Sequence, residues 1–212
     1  NASWALKLLA ALHGQSMIKK LYFDAMHDAN AYGEFRVSQG NYEFHREKSK
    51  DKTMAADSRA YMDSRYKGIK AAYDEGKQWY REGDTGWLAL AWFKLTHLLV
   101  SAEPKQNTVL LTSPRCASAC LDFADAALLI PDAVHMGQET SADTNYLDVR
   151  WPPIALPSQQ GSLVLPMKVW RNRPRGHNEP HVPEHIYDGN ITDTQTIQAW
   201  VVNTLNLDKA DL

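Results

Sequence analysis

Apolar and polar positions in the second half of the chain predict a strand, a helix and a second strand in succession. The first strand covers Asn107–Leu111, whose apolar residues run together as in a buried strand. A polar turn follows, then a helix over Ser118–Ile130 and a strand over Ala133–Met136. Such a βαβ unit has parallel strands and a right-handed crossover. It places Ser118 at the carboxyl edge of a parallel sheet, where ligand crevices form in α/β folds.

The middle of the chain predicts a helical hairpin. Asp57 can cap a long helix with apolar residues at core-facing spacing. These residues are Met62, Tyr66, Ile69, Tyr73 and Tyr80. A second helix over Thr85–Val100 is apolar on most of its circumference, which is typical of a helix packed on several sides. We therefore expect a helical insertion at 41–100, in which the charged stretch Arg46–Lys52 forms a solvated loop.

Helices are also predicted at the two ends of the sequence. Asn1 or Ser3 can cap the first, over Asn1–His13, and Gly14 supplies its left-handed stop. The last begins at a cap formed by Asp193 or Thr192. The apolar face of the first helix consists of Ala5, Leu8, Leu9 and Leu12. That of the last helix consists of Ile197, Trp200, Val201 and Leu205. The pattern at 15–35 does not distinguish a strand from a helix.

Two more strands are predicted after the βαβ unit. They cover Tyr146–Val149 and Ser162–Val169, and Pro166 implies an edge position or a bulge in the second. The polar stretch Arg171–Glu179 then contains three arginines. It is either an exposed loop or a segment that offers guanidinium groups to a peptide carboxylate.

Composition and charge narrow the range of functions. The chain has 212 residues, of which 44% are hydrophobic, enough for one domain with a substantial core or one domain with an insertion. Its formal net charge is −2 and no basic stripe stands out, so no nucleic-acid partner is expected. The longest apolar run, Trp87–Val100, is too short to cross a bilayer and contains Lys94 and His97. Neither a membrane span nor a signal peptide is predicted.

The two cysteines, Cys116 and Cys120, flank the predicted start of the helix. Their spacing matches neither a disulfide framework nor the C-x2-C pattern of a zinc site. A helix start can lower the pKa of a thiol, so either cysteine could rival a serine as nucleophile. We expect both instead to be small, buried packing residues.

Ser118 is the candidate nucleophile. Its position places the hydroxyl near the positive end of the helix dipole and near backbone N–H groups that have no partner within the helix. Such N–H groups can stabilise an oxyanion. The alternative from position alone is that Ser118 or Ser113 caps the helix, because serine is a favoured N-cap residue.

Three segments together resemble one enzyme family. They are TSPRCASAC at 112–120, which an alanine-rich helix follows, VHMGQET at 134–140, and EPHVPEHI at 179–186. In this order they resemble the nucleophile segment, the next glycine-ended strand and the closing motif of the tail-specific (carboxy-terminal-processing) and tricorn-type serine peptidases. The resemblance extends over 1–14 and 107–205.

The resemblance implies a crotonase-like α/β core that hydrolyses peptide bonds through an acyl-enzyme on Ser118. It also implies that the backbone N–H of Ala119 contributes to the oxyanion hole. The chain then corresponds to the C-terminal part of one catalytic domain and requires the upstream half, which brings the catalytic histidine and a glycine-rich oxyanion strand. A peptide or protein is the expected substrate, with no cofactor and no metal, and a homo-oligomer is left open. A bacterial source would place the protein in the periplasm or cell envelope.

The base that activates Ser118 follows one of two arrangements in that family. One uses a lysine about 25 residues after the nucleophile, but that position holds Asp143, and no lysine occurs between Ser118 and Lys168. The other pairs the serine with a histidine that an acid orients. The resemblance places this acid at Glu179, 61 residues after Ser118 (179 − 118).

Other ionisable residues near these positions receive a structural interpretation. Three histidines are spaced four apart, with prolines between them: His177, His181 and His185, with Pro180 and Pro183. The prolines prevent a shared helical face, so we predict no zinc site and expect exposed or turn-packed histidines. The family pattern does not support His177 as an in-chain base. Asp122 and Asp125 favour the dipole at the helix start and are assigned no catalytic role.

Two alternatives to a peptidase remain open from the sequence. One is a catalytically inactive relative of the same fold that binds peptides. The other is a hydrolase of a non-peptide ester, because the same nucleophile machinery serves both kinds of substrate.

Overall fold

A computed structural model describes residues 2–83 and 103–207. Its helices are α1 (Ala2–His13), α2 (Gln15–Asp28), α3 (Gln39–Lys50), α4 (Ala56–Asp74), α5 (Ala119–Ala127) and α6 (Thr194–Leu205). Its strands are β1 (Tyr32–Arg36), β2 (Trp79–Arg81), β3 (Val109–Thr112), β4 (Val134–Gly137), β5 (Tyr146–Val149), β6 (Ile154–Ala155), β7 (Ser162–Leu163), β8 (Pro166–Arg171) and β9 (His185–Ile186). The architecture is mixed α/β, as the sequence predicts.

Some predictions fall outside the part of the chain that the structure describes. These are the helix over Thr85–Val100 and the cap at Asn1. None of the described helices is long and apolar enough to cross a membrane.

The chain divides into two compact units. Their described residues are 2–25, 103–143 and 177–207 in the first unit, and 26–83 and 144–176 in the second. The first unit contains the predicted βαβ segment. The second contains the described part of 41–100. Its antiparallel sheet combines β2, which lies within that range, with β1, β5 and β8, which lie on either side of it.

The sheet of the first unit has three parallel strands in the order β3-β4-β9. β3 and β4 pair directly and α5 connects them, which confirms the predicted βαβ unit. α5 buries Leu121 and Ala124 completely. The short strand β9 was not predicted from the sequence, where a proline precedes it closely. The buried core of the unit consists of Leu9, Met17, Ile18, Leu110, Ala124, Ala126, Ala127 and Ile130.

The N-terminal helices match the sequence only in part. α1 ends as predicted, because Gly14 follows it at φ +101° and donates its N–H to the Ala10 carbonyl. Leu9 is buried at 2% exposure, but Leu8 and Leu12 are 54% and 39% exposed, so the predicted apolar face is wrong at these two positions. Residues 21–23, which the sequence pattern left unassigned, lie within α2.

The last helix begins and packs as predicted. The Asp193 carboxylate accepts the Thr196 N–H at 3.1 Å and caps α6. Ile197 and Val201 are buried, and the ring of Trp200 lies 4.9 Å from that of Tyr187. Its apolar face therefore anchors the C-terminal segment of the first unit.

In the second unit a hairpin of α3 and α4 packs on an antiparallel sheet of order β2-β1-β8-β5. The stretch Arg46–Lys52 belongs largely to α3, so its prediction as a loop is wrong. Asp57 lies in the first turn of α4, and Ala55 is the N-cap residue. Ile69 is fully buried, whereas Tyr80 lies in β2 rather than in a helix. The buried core consists of Phe35, Val37, Tyr42, Ile69, Ala72 and Met167.

β5 forms one edge of this sheet in the described part of the chain. Its register with β8 skips Asp148, whose φ is +50°, and Tyr146 and Val149 are 53% and 48% exposed. The predicted strand Ser162–Val169 is divided between β7 and β8. Pro166 is the first residue of β8, a position where a missing N–H is tolerated even in an interior strand.

The arginines at the end of β8 and just after it make contacts within the second unit. Arg171 Nε donates to Glu34 Oε2 at 2.9 Å. Arg175 is buried, and its carbonyl accepts a hydrogen bond from Arg173 Nε at 2.9 Å. These contacts favour a structural role for the arginines over the binding of a peptide carboxylate.

In the second unit, the Glu82 carboxylate lies between two buried cations, Lys168 and Arg65. Glu82 Oε2 lies 2.5 Å from Lys168 Nζ, and Glu82 Oε1 pairs with the Arg65 guanidinium. The Lys168 and Arg65 side chains are 10% and 8% exposed. Removing a charge from water is costly, and the shared carboxylate offsets that cost for both cations.

We expect Glu82→Gln to lower the free energy of unfolding by about 3–5 kcal/mol, because it removes the carboxylate that both buried cations contact. Urea unfolding followed by circular dichroism measures the change. Glu75→Gln is the matched control. Glu75 pairs with Lys77 at 2.6 Å, but their side chains are 57% and 62% exposed, so less than about 1 kcal/mol should be lost. Equal losses in the two variants would contradict a stabilising role for the buried cluster.

Candidate active site

The turn after β3 brings Ser118 to the start of α5. Cys116 N–H donates to the Ser113 carbonyl at 2.9 Å, and Arg115 N–H donates to Ser113 Oγ at 3.3 Å. Ser113 therefore closes the turn and does not cap the helix. Ser118 occupies the N-cap position of α5, and its carbonyl accepts the first helical hydrogen bonds, from the N–H groups of Leu121 and Asp122.

The backbone of Ser118 adopts a conformation that side-chain-bearing residues rarely take. Its φ is +53° and its ψ is −117°, whereas an ordinary N-cap residue lies in the β region. Its side chain makes no capping hydrogen bond with the helix. An exposed serine on a strained strand-to-helix turn is the arrangement of the nucleophile elbow in hydrolases. These features oppose the capping interpretation and leave the hydroxyl available for chemistry.

A disulfide encloses the same turn. Cys116 and Cys120 are bonded, with their Cα atoms 5.1 Å apart, a usual separation for a disulfide. The interpretation of both cysteines as packing residues without a disulfide is therefore wrong, because the turn at Ser118 brings them within bonding distance. Burial was correctly predicted only for Cys116, which is 4% exposed, whereas Cys120 is exposed.

The loop after β4 contacts both predicted site segments of the first unit. Ser141 N–H donates to the Cys116 carbonyl at 3.1 Å, two residues before Ser118. Farther along the loop, Asp143 O accepts the N–H of Asn178 at 2.9 Å, one residue before Glu179. The loop 138–143 therefore holds the turn 113–118 on one side and the Glu179 segment on the other.

The predicted site residues Ser118, Ala119 and Glu179 lie on two separate segments of the first unit. Ser118 and Ala119 adjoin each other at the start of α5, where the Ala119 N–H is one of the first amides of the helix. Glu179 lies in an exposed position in the segment between β8 and β9. The shared loop connects the Ser118 and Glu179 segments through the backbone.

A histidine–aspartate pair also lies in this unit and was missed in the sequence. His181 Nε2 lies 2.8 Å from Asp125 Oδ1, and the His181 ring contacts the His135 ring with centroids 6.1 Å apart. The His181 N–H donates to Thr140 Oγ1 at 2.8 Å, and its carbonyl accepts the Thr140 N–H at 3.0 Å. Asp125 follows Ser118 by seven residues (125 − 118), about two helical turns, and this spacing is the one signal in the sequence that relates the two positions. Through its contact with His181, Asp125 holds the segment that follows Glu179.

His135 lies beneath this pair in β4. It is 4% exposed, and its Nε2 lies 2.8 Å from Thr112 Oγ1. Burial lowers the pKa of His135 below its usual value of 6.5, and the charge of His181 acts in the same direction. The charge of Glu184 and a backbone hydrogen bond at Val182 oppose that shift without cancelling it. The folded protein therefore favours the neutral imidazole.

Among the described residues, no group of three or more His, Cys, Asp or Glu side chains is arranged to hold a metal ion. Comparisons with protein-family models, with curated proteins and with solved structures gave no match for this chain.

We expect Ser118→Gly to raise the free energy of unfolding by about 1 kcal/mol. Glycine relieves a strained backbone worth about 1–3 kcal/mol, which exceeds its entropic cost of about 0.5–1 kcal/mol. Ser118→Ala should change stability by less than about 0.5 kcal/mol, because no capping bond is lost. A helix cap would instead lose about 1 kcal/mol on the change to alanine. Chemical denaturation of the three proteins distinguishes the two roles.

The lowered pKa of His135 predicts a pH-dependent contribution to stability. The unfolded chain protonates this histidine at a higher pH than the folded chain does, so the contribution is complete above about 6.5 and decreases as the pH falls below it. His135→Gln removes that contribution. The difference in unfolding free energy between wild type and variant should therefore decrease between pH 7 and pH 5. A constant difference over this range would contradict the shift.

Proposed function

We propose that this protein is a serine peptidase of the tail-specific or tricorn type, with Ser118 as its nucleophile. The observation that carries the proposal is the backbone of Ser118, at φ +53° and ψ −117°, with no capping bond from its side chain. Strain of this kind persists where the surroundings over-determine it and clusters at active sites. The order of the motifs around Ser118 supports a peptide as the substrate.

In the proposed reaction, Ser118 Oγ attacks the carbonyl carbon of the peptide bond and loses its proton to a histidine base. The Ala119 N–H, at the start of α5, donates to the oxyanion that forms. The tetrahedral intermediate then expels the amine, which takes the proton from the histidine, and an acyl-enzyme remains. Water, which the same base activates, hydrolyses the ester and restores Ser118.

Glu179 is the proposed acid that orients the histidine and stabilises its charged form. Its segment is fixed on both sides, by Asn178 bonded to Asp143 and by His181 bonded to Thr140. A fixed backbone suits an acid that must hold a base in one orientation. The parallel βαβ unit supports the further proposal of a crotonase-like core, in which this chain forms the C-terminal part of the catalytic domain.

The experiment is labelling of the full-length protein with a fluorophosphonate, followed by peptide mapping. This probe reacts with an activated serine. We expect the label on Ser118, none on the Ser118→Ala variant, and label still on Ser118 in the Ser113→Ala variant. Glu179→Gln should lower the labelling rate by about 10²-fold or more. The matched control is Glu184→Gln, an exposed carboxylate of the same segment, which should have little effect on the rate.

The result also separates the proposal from the alternatives. A folded full-length protein that takes no label would contradict the peptidase and favour an inactive peptide-binding relative. Label on Ser118 with turnover of activated esters but of no peptide would favour a hydrolase of non-peptide esters. Peptide cleavage that survives in Ser118→Ala would exclude Ser118 as the nucleophile.

A further inference from the structure

We propose that the Cys116–Cys120 disulfide holds Ser118 in its reactive conformation, and that reduction of the disulfide by a dithiol switches the nucleophile off. The inference rests on the proposed role of Ser118. It assigns Cys116 and Cys120 as positioning residues, since they act on the reaction only through the backbone of Ser118.

Ser118 is the middle residue of the short ring that the disulfide closes, two residues from each cysteine. On one side Cys116 is fixed to the body of the first unit. It is buried, at 4% exposure. Its backbone N–H donates to the Ser113 carbonyl, and its carbonyl accepts the Ser141 N–H. On the other side Cys120 belongs to the first turn of α5 and donates its N–H to the Ala117 carbonyl at 3.1 Å. The covalent bond therefore ties the turn to the helix across Ser118.

The conformation of Ser118 requires such a restraint. A positive φ is unfavourable for serine, and such a residue normally relaxes unless its surroundings prevent this. Its side chain adds no capping bond that would help to hold it. The disulfide restricts the backbone on both sides of Ser118 at once, and it adds a covalent restraint to the Cys120–Ala117 hydrogen bond that spans the same residue.

Without the disulfide, Ser118 has a more favourable conformation available at the same position. A serine at an N-cap with negative φ accepts a hydrogen bond from the second or third amide of the helix. With Ser118 as the N-cap residue, these two amides are those of Cys120 and Leu121. In that state Oγ is engaged with the helix and no longer directed at a substrate. Ser118 is thus a reactive serine in the oxidised protein and a helix cap in the reduced protein.

The disulfide can be reached by a reductant from one side, because Cys120 is exposed and Cys116 is buried. A thiolate of the dithiol attacks Cys120 Sγ, and Cys116 leaves as a thiolate. The second thiol of the reagent then attacks the mixed disulfide and releases Cys120. The dithiol is oxidised to its own disulfide, and the protein gains two electrons and two protons as two thiols.

The test measures the fluorophosphonate labelling rate of Ser118 in the full-length protein before reduction, after treatment with dithiothreitol, and after reoxidation. We expect at least a tenfold lower rate in the reduced protein and recovery on reoxidation. The Cys116→Ala/Cys120→Ala double variant should label at the low rate with or without dithiothreitol. Far-UV circular dichroism of the same samples should remain that of the oxidised protein, because the switch requires no loss of helix.

Three results would overturn the inference. Equal labelling rates in the oxidised and reduced protein would show that the disulfide does not position Ser118, while leaving the peptidase proposal intact. A loss of labelling together with a loss of helical signal would show a purely structural disulfide. No labelling of the oxidised protein would remove the proposed nucleophile, and the inference with it. If the double variant does not fold, the reversible change in the wild-type protein decides alone.

Discussion

The close approach of two backbones at the ends of β3 and β4 is the contact on which the candidate site depends. A Cβ atom on Gly137, whose φ is +111°, would lie 2.5 Å from the Thr112 carbonyl oxygen. That carbonyl accepts the Gln138 N–H at 3.0 Å, and the Thr112 hydroxyl donates to the Gln138 carbonyl at 2.7 Å. The two strands are therefore held together where β3 enters the turn 113–118 and β4 enters the loop 138–143. Only glycine allows this register at the end of β4.

A chain of polar contacts begins at Thr112 and runs through the first unit. The Thr112 hydroxyl also meets His135, whose ring contacts His181, and His181 pairs with Asp125 on α5. A continuous set of polar contacts thus runs from β3 through β4 to the helix that begins at Ser118. Polar groups in such a network fix one another's orientation, because an unpaired group in a buried setting is costly. The network gives the turn a rigid base.

The sequence predicted the elements around the site because their signals are local. The apolar run of β3, the alanine-rich face of α5 and the strand before Gly137 are each visible within a few residues. The charged stretch Arg46–Lys52 has the composition of a loop, yet most of it belongs to α3. A helix that packs on one side through Tyr42 and His45 needs few apolar residues. The strand β9 is too short for a periodic pattern, and it forms because β4 offers it a partner.

The site was predicted less completely, for a different physical reason. Ser118 and Ala119 were placed by their position between a strand and a helix. The same position suits a cap and a nucleophile equally, and the positive φ of Ser118, on which the proposal rests, cannot be read from the sequence. The disulfide and the Asp125–His181 pair depend on where the turn and the segment after Glu179 lie in space. The spacing of residues along the chain does not predict where these two segments lie relative to each other.

The break in pairing at Asp148 bears on how the protein behaves at high concentration. An edge strand exposes N–H and C=O groups on which a strand of another molecule can dock. β5 carries exposed Tyr146 and Val149, which would make it attractive for such docking. The left-handed backbone and the charge of Asp148 interrupt the flat ladder after two residues. The strand is thereby made a poor template for aggregation, while its pairing with β8 is kept.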